Sequence, residues 1–395
     1  MKKLALLSVS DKTGLIPFAS GLIKLGFHLL STGGTSKAIA AAGLAVEDIS
    51  HFTGFPEMMD GRVKTLHPKV HGGILQLRDN SHHQAEAKAI GILPIDLICV
   101  NLYPFEKAVA DPQCTLENAI ENIDIGGPAM LRSSAKNYRH VVVVTDAADY
   151  PTVLDEYEKN GDVSLSTRET FALKVFRLTS HYDGAIHTYL SRRIKETENV
   201  KFAFENGKPL RYGENPHQKA KLFSDPEEKR PNVPGGNLLH GKEMSYNNYL
   251  DADASFETAW EFREECAAVI VKHGNPCGIA TAASPEHALK MAWEGDIVSA
   301  FGSVITLTRP VDLATAEFLK GKFVEVLIAP GFSPEALEFL KNKSKDIRLI
   351  EVPPLTGVPD TEKMSYRFVR GALLAQTEDR ELMAKLESVT KIKFP

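Results

Sequence analysis

The sequence predicts two α/β domains in series, the first built on a doubly wound parallel sheet. Residues 1–43 alternate strand, helix, strand and helix, the order in which parallel strands are joined by crossover helices. Two later apolar runs, Leu97–Leu102 and Val141–Thr145, are continuous, which is typical of strands covered on both faces. A Pro- and Gly-rich stretch, Gly207–Gly241, then indicates a boundary of ordered loops before further strands begin.

Each element follows from its apolar spacing and from the residue that ends it. Gly26 and Gly43 end the first two helices, because glycine readily adopts the left-handed conformation that follows a helix. In the first domain we expect a strand at Leu4–Ser10, a helix at Leu15–Leu25, a strand at Phe27–Ser31, a turn at Thr32–Thr35, a helix at Ser36–Ala42, and mostly helix from Tyr150 to about Glu196. In the second domain we expect strands at Ala268–Lys272, Val304–Leu307 and Val324–Ala329.

Composition excludes several classes of protein. Of the 395 residues, 43% are hydrophobic and 25% charged, which is ordinary for a globular chain of two or three domains. The net charge of -5 gives no general basic field for nucleic acid, and no run approaches the roughly 18 apolar residues of a membrane span. The four cysteines show no paired spacing for zinc or a redox pair. We therefore expect a cytoplasmic protein with no metal site, no nucleic-acid partner and no membrane partner.

The segment Gly61–His71 gathers five basic or imidazole side chains and no acid. If it is extended, Arg62 and Lys64 point to one face, with the Thr65 hydroxyl beside them. This pattern suits a phosphorylated ligand. A solvated basic loop is the competing interpretation.

Two hydroxyl-rich turns open helices earlier in the chain, at Ser8–Gly14 and Ser31–Thr35. Each can present backbone N–H groups to a phosphate at a helix N-terminus, and Lys12 adds a full charge to the first. Singly, each turn is an ordinary helix cap. Together with Arg62 and Lys64, they favour a phosphate pocket in the first domain.

A second group of polar residues follows the predicted strand at Leu97–Leu102. Asp124 can orient a polar substrate, while Lys64, Tyr103 and Lys136 offer protons whose pKa values burial or neighbours can tune. The alternative interpretation is structural: Tyr103 packs as a half-buried aromatic, Asp124 lies in a turn and Lys136 lies on the surface of a helix.

The motifs of the first domain are specific in combination: SVSDKTGL, STGGT, TGFPEM, GRVKTLHP, VHGGIL, NLYPF, IDIGGPA and AKN. From Leu4 to about Arg193 the chain closely resembles the inosine monophosphate cyclohydrolase domain of the bifunctional purine biosynthesis enzymes, which has a methylglyoxal-synthase-like fold. The resemblance implies that this domain, residues 1–196, closes the ring of formamidoimidazole carboxamide ribonucleotide without metal or organic cofactor.

The resemblance also implies residue roles. Lys136 and Asp124 are expected at the reacting carboxamide, with Tyr103 and Lys64 near the formyl oxygen. The residues expected to bind the nucleotide are Ser10, Asp11, Lys12, Thr32, Gly33, Gly34, Thr35, Arg62, Thr65, Asn101, Leu102, Ile125, Gly126 and Gly127.

In the second domain an adjacent pair, Lys272 and His273, ends a predicted strand. His273 can serve as a general base on an amine, although an exposed strand end is the plainer interpretation. The surrounding segments resemble the transformylase half of the same enzymes, which has a cytidine-deaminase-like fold. That half moves a formyl group from formyl-tetrahydrofolate, its cosubstrate, to aminoimidazole carboxamide ribonucleotide.

The resemblance makes Lys272 and His273 catalytic. It places Arg211, Tyr212, Asn248, Gly302 and Glu325 in the ligand pocket. A deaminase-type zinc site is rejected, because Cys277 is not followed by a second cysteine at the required spacing.

Family members continue beyond Pro395, so residues 197–395 are expected to form an incomplete transformylase half with impaired formyl transfer. The family also implies a homodimer that binds purine ribonucleotide intermediates. One alternative is a nonenzymatic purine-nucleotide sensor or assembly subunit. Another is a different phospho-ligand enzyme of the methylglyoxal-synthase-like class, whose acidic catalysis does not match Lys64, Tyr103 and Lys136.

Overall fold

The structure is a computed structural model that describes residues 3–59, 61–226, 228–354 and 364–379. The chain divides into two compact units between Lys201 and Phe202. The functional boundary expected after residue 196 stays a prediction.

The first unit is built on a five-stranded sheet in which every pairing is parallel. Its strands are β1 (Lys3–Val9), β2 (Phe27–Ser31), β3 (Glu47–Asp48), β4 (Leu97–Asn101) and β5 (Val142–Val144). The spatial order is β3-β2-β1-β4-β5, so the sheet grows outward in both directions from β1. This confirms the doubly wound prediction and creates a crevice beyond the carboxyl ends of β1 and β4.

Ten α-helices and one short 3₁₀ turn, Ala147–Asp149, complete the described part of this unit. The helices are α1 (Leu15–Lys24), α2 (Gly33–Ala41), α3 (Ile49–Thr53), α4 (Pro68–Leu75), α5 (Ser81–Ala89), α6 (Phe105–Val109), α7 (Leu116–Glu121), α8 (Gly126–Lys136), α9 (Tyr150–Asn160) and α10 (Leu165–Lys195). The helical stretch predicted from Tyr150 is two helices, because Gly161 ends α9 with a φ of +74°.

Two local predictions are wrong. Thr32 has an extended backbone and acts as the N-cap, so α2 starts directly at Gly33 and the turn predicted at Thr32–Thr35 is absent. The basic segment Gly61–His71 is not extended. Gly61 and Arg62 lie in a turn between the bridged residues Met58 and Val63, and Lys64 and Thr65 lie in a bend. The segment then enters α4, where the Lys69 N–H donates to the His67 ring.

The core of the first unit lies on both faces of the sheet, as continuous apolar strands require. Leu6, Leu29 and Ile98 are fully buried, and Phe18 of α1 stacks on Tyr150 with ring centroids 4.1 Å apart. The strands are therefore rigid supports for the segments that follow their carboxyl ends.

The second unit is built on a six-stranded mixed sheet in the order β10-β9-β11-β12-β13-β8. The described strands are β6 (Glu205–Pro209), β7 (Lys221–Ser224), β8 (Asn237–His240), β9 (Ala267–Lys272), β10 (Asn275–Thr281), β11 (Ser303–Leu307), β12 (Val324–Ala329), β13 (Arg348–Glu351), β14 (Met364–Val369) and β15 (Ala372–Thr377). The helices are α11 (Tyr246–Glu261), α12 (Pro285–Gly295), α13 (Ile297–Ala300), α14 (Leu313–Phe318) and α15 (Pro334–Lys343).

The three predicted strands of this unit are confirmed as β9, β11 and β12. The stretch Gly207–Gly241 contains strand residues of β6, β7 and β8, which were missed because none of these strands has a run of more than two apolar residues. Within the described ranges, no helix combines the length and apolarity needed to cross a bilayer.

Candidate active site

A cavity of about 560 Å³ opens in the first unit beyond the carboxyl ends of β1, β2 and β4. Its size falls in the roughly 300–1,000 Å³ range of small-molecule sites. The predicted residues that line it are Ser10, Lys12, Thr32, Gly33, Gly34, Thr35, Arg62, Lys64, Thr65, Asn101, Tyr103, Asp124, Ile125, Gly126 and Gly127. Five segments that are separated in sequence therefore form one site.

The N-terminus of α2 forms one wall of the cavity. Its N-cap, Thr32, makes no capping bond with its side chain. A Cβ built at Gly33 would lie 3.8 Å from Lys64 Nζ, and one built at Gly34 would lie 3.9 Å from Lys12 Nζ. Two ammonium groups thus converge on the positive end of a helix whose first residues carry no side chains. This combination suits a phosphate group.

The N-terminus of α8 forms a second wall. Its N-cap, Ile125, also gives no side-chain cap, and a Cβ at Gly126 would lie 2.7 Å from Thr65 Oγ1. Glycine at this position lets the Thr65 hydroxyl approach the helix end. The cavity therefore combines two helix N-termini with cationic and hydroxyl donors.

Several predicted binding groups instead fix the backbone around the cavity. Thr35 Oγ1 bonds both the N–H and the carbonyl of Val9, at 3.0 and 2.9 Å. Asn101 Oδ1 accepts from the N–H of Ser10 at 2.5 Å, and its Nδ2 donates to the Asp11 carbonyl at 2.9 Å. These side chains hold the loop after β1 in place, and their part in nucleotide binding stays a prediction.

Asp11 and Leu102 are not among the residues that line the cavity. The Asp11 carboxylate accepts hydrogen bonds from the N–H and hydroxyl of Thr13, which lower its pKa. Leu102 packs against the cores of the unit, and its Cδ2 lies 2.9 Å from a Cβ built at Gly127. Leu102 therefore packs behind Gly127, whereas Asp11 is exposed and fixes the local turn through Thr13.

Two glutamates that were not predicted pair with the cations of the basic segment. Arg62 forms an ion pair with Glu121, which lines the cavity, and Lys64 Nζ lies 3.7 Å from Glu57 Oε1. The sequence offered no signal for the pair of Arg62 and Glu121, because the two residues are remote along the chain. A phosphate that binds Arg62 has to compete with Glu121.

Asp124 is the half-buried carboxylate of the cavity. Burial raises its pKa, whereas the N–H groups of Gly127 and Tyr103 and the charge of Lys64 act in the opposite direction. The Gly127 N–H donates to Asp124 Oδ1 at 2.8 Å. The Tyr103 side chain is 42% exposed and lines the same cavity. Asp124 is thus a proton acceptor of raised pKa in a cavity that Lys64 and Tyr103 also line.

Lys136 is not brought to this cavity. It is exposed at the last position of α8, whereas Asp124 precedes the first. A helix rises 1.5 Å per residue, so the ends of α8 are about 15 Å apart. The catalytic role expected for Lys136 stays a prediction that the arrangement of the cavity does not support.

In the second unit, Lys272, Gly302 and Glu325 lie at one edge of the sheet, since β9 ends where the antiparallel β11 and its parallel neighbour β12 begin. Lys272 Nζ donates to the Phe301 carbonyl at 2.5 Å. His273 and Gly274 form the two-residue turn between β9 and β10, with φ angles of +57° and +73°. His273 is exposed there.

The other predicted ligands of the second unit have structural partners. Glu325 Oε2 accepts from the buried Arg348 at 2.5 Å. Asn248 completes a capping box with Ser245 at the start of α11. The Arg211 guanidinium lies 5.5 Å from the ring centroid of Tyr212. A role of these residues in a ligand pocket stays a prediction.

Two family models match the chain. The MGS-like domain matches residues 14–129, and the AICARFT/IMPCHase bienzyme matches residues 134–395. The second match covers most of the chain and extends into the first unit. The first agrees with the fold expected for the N-terminal domain.

Curated relatives match along most of the chain. The bifunctional purine biosynthesis protein PurH of Bacillus mycoides (strain KBAB4) is 50% identical over 381 residues, which are 96% of this chain and 74% of that protein. PurH of Bacillus cereus (strain ATCC 10987 / NRS 248) is 49% identical with the same coverage. The crystal structure of ForH is 39% identical, covering 47% of this chain and 98% of that one, with a TM-score of 0.43.

Proposed function

The chain belongs to the AICARFT/IMPCHase bienzyme family, and we propose that its first unit closes the ring of formamidoimidazole carboxamide ribonucleotide to give inosine monophosphate. Membership of this family assigns the chain to de novo purine biosynthesis and favours an enzyme over a nucleotide sensor. The observation that carries the proposal is the convergence of Lys12, Lys64 and the α2 N-terminus in a cavity that also contains Asp124.

The reaction needs a folded substrate more than a cofactor. The carboxamide nitrogen attacks the formyl carbon and loses a proton, while the formyl oxygen gains one. The formamido nitrogen then gives up its proton as the hydroxyl is protonated and leaves as water, so the former carboxamide nitrogen keeps one hydrogen in the product. This reaction therefore needs groups that accept and donate protons beside a preorganised substrate, and it needs no cofactor.

The cavity contains both groups that bind the phosphate and groups that exchange protons with the reacting atoms. Lys12, Lys64 and the α2 N-terminus bind the phosphate, and the α8 N-terminus with Thr65 offers further donors. Asp124 accepts the proton from the carboxamide nitrogen. Tyr103 and Lys64 donate to the formyl oxygen, so Lys64 lies between the phosphate and the reacting atoms.

Binding of inosine monophosphate to the full chain, measured by isothermal titration calorimetry, tests the phosphate site. A hydrogen bond to a charged group contributes about 1.5–3 kcal/mol, so Lys12→Met should weaken binding about 10-fold or more. Lys24→Met, an exposed lysine at the end of α1, is the matched control and should bind as the unaltered chain does. Equal affinity for all three proteins would rule out Lys12 as a phosphate ligand.

AICAR formyltransferase is the second activity of the family, and we assign it to the edge of the second unit that carries Lys272 and His273. Formyl-tetrahydrofolate is the proposed cosubstrate. Formyl transfer by the full chain should be lost in Lys272→Ala and kept in Lys290→Ala, an exposed lysine of α12. Loss in both variants would argue against a specific role of Lys272.

We also propose that the chain acts as a homodimer in the cytoplasm, with purine ribonucleotide intermediates as its small-molecule partners and with no nucleic-acid or membrane partner. Sedimentation of the purified chain across a range of concentrations tests the dimer. A single monomeric species at every concentration would contradict it.

A further inference from the structure

Tyr182 of α10 connects the long helix to the segment that carries Asp124. Its side chain is 7% exposed and packs in a small core with Phe105 and Ala119. The Tyr182 and Phe105 rings meet edge to face, with centroids 6.3 Å apart at 73°. The hydroxyl is therefore held at a fixed position beside the cavity wall.

The Tyr182 hydroxyl bonds the backbone on both sides of Ile123. It accepts from the Asp124 N–H at 2.8 Å and lies 3.3 Å from the Asn122 carbonyl, to which it donates. Burial raises the pKa of Tyr182, so the hydroxyl stays protonated at neutral pH and serves both bonds. The backbone of Asp124 is thus fixed from α10, while its carboxylate is fixed by Gly127.

We propose that Tyr182 is a positioning residue for ring closure, acting through Asp124. This inference rests on the proposed cyclohydrolase function. Tyr182 does not line the cavity and does not touch the substrate site. Its contribution is to hold the Asp124 carboxylate where the carboxamide nitrogen is deprotonated, and a small displacement of such a group slows the chemical step without weakening nucleotide binding.

Steady-state kinetics of the full chain with Tyr182→Phe test the proposal, with Tyr189→Phe as the matched control. Tyr189 lies on the same helix and also packs edge-on against Phe105, with centroids 5.7 Å apart. Both variants keep the ring, but only the first removes the bonds to Asn122 and Asp124. Amide hydrogen exchange of residues 122–127 and the melting temperature are measured on the same samples.

Tyr182→Phe should lower kcat about 10-fold, change KM less than about 2-fold and accelerate exchange at residues 122–127, while Tyr189→Phe stays near the unaltered chain. An unchanged kcat in Tyr182→Phe, or an equal loss in Tyr189→Phe, would overturn the proposal. A rise in KM with kcat preserved would overturn it as well. Failure of the unaltered chain to form product would instead refute the proposed function itself.

Discussion

The carboxylate of Asp124 and the backbone of Gly127 are in direct contact at the start of α8. The Gly127 N–H donates to Asp124 Oδ1 at 2.8 Å, and a Cβ at residue 127 would clash with Asp124 Oδ2. The same Cβ would also lie 2.9 Å from Leu102 Cδ2. Only glycine allows the helix N-terminus to approach the carboxylate this closely.

Replacing Gly127 with alanine should therefore displace Asp124 and slow ring closure. A misplacement of about 1 Å costs up to about 100-fold in rate, so we expect kcat to fall at least 10-fold in Gly127→Ala. Gly184→Ala is the control, since a Cβ there would lie 3.8 Å from the Lys201 side chain, which is ordinary contact. The measurement is the initial rate of product formation. Equal rates for both variants would contradict a role of the contact between Gly127 and Asp124.

The activity should depend on the protonation of Asp124. Burial raises the pKa of this carboxyl above its ordinary value of about 3.9, and the base form is the active one. As pH falls through the raised pKa, kcat should be lost. Lys64 opposes the shift, so Lys64→Met should move the acidic limb of the kcat profile to higher pH.

The control for the pH profile is Lys24→Met, which lies at the end of α1 and should leave the limb in place. Residual activity of Lys64→Met is followed at high enzyme concentration, since Lys64 is also a proposed donor. An acidic limb that stays in place or moves to lower pH would contradict the assignment of Asp124 as the base.

Glu121 should compete with phosphate for Arg62. The pair is largely exposed and contributes little, so Glu121→Gln should lower the inhibition constant of inorganic phosphate only on the order of 2-fold. Glu117→Gln, on the same short helix, is the control. Weaker phosphate inhibition in Glu121→Gln would show that Glu121 assists binding instead.

Glu325 should stabilise the second unit through Arg348, which is 4% exposed. Removing one partner of a buried pair costs about 3–5 kcal/mol, and partial exposure of Glu325 reduces the expected loss for Glu325→Ala to about 2 kcal/mol. Urea unfolding, compared with Glu317→Ala on the exposed surface of α14, measures the loss. Equal unfolding midpoints for the two variants would mean that the pair contributes little.

Much of the first fold is local in origin and was therefore predictable. The apolar runs of β1 and β4 and the glycines after α1 and α2 specify elements within a few residues. The start of α2 was missed because its first two residues, Gly33 and Gly34, are typical of turns and not of helices. The strands β6 and β8 have no run of more than two apolar residues, so the sequence shows no strand pattern there.

The predictable part of the site is the set of groups that the motifs place after strands, such as Lys12, Gly33 and Asp124. Contacts between distant segments were not predictable. The pairing of Arg62 with Glu121 and the bond from Tyr182 to Asp124 depend on how α7 and α10 pack, which no local pattern specifies. For the same reason, the short distance along the chain between Asp124 and Lys136 did not reveal that they lie at opposite ends of α8.

The most direct test of the account is steady-state formation of inosine monophosphate from the formylated ribonucleotide by the purified chain, with folate and metal both left out. We predict turnover that is at least 100-fold slower in Asp124→Ala, whose affinity for inosine monophosphate is retained. A folded chain that binds inosine monophosphate but forms none would contradict the cyclohydrolase assignment and favour a nucleotide sensor.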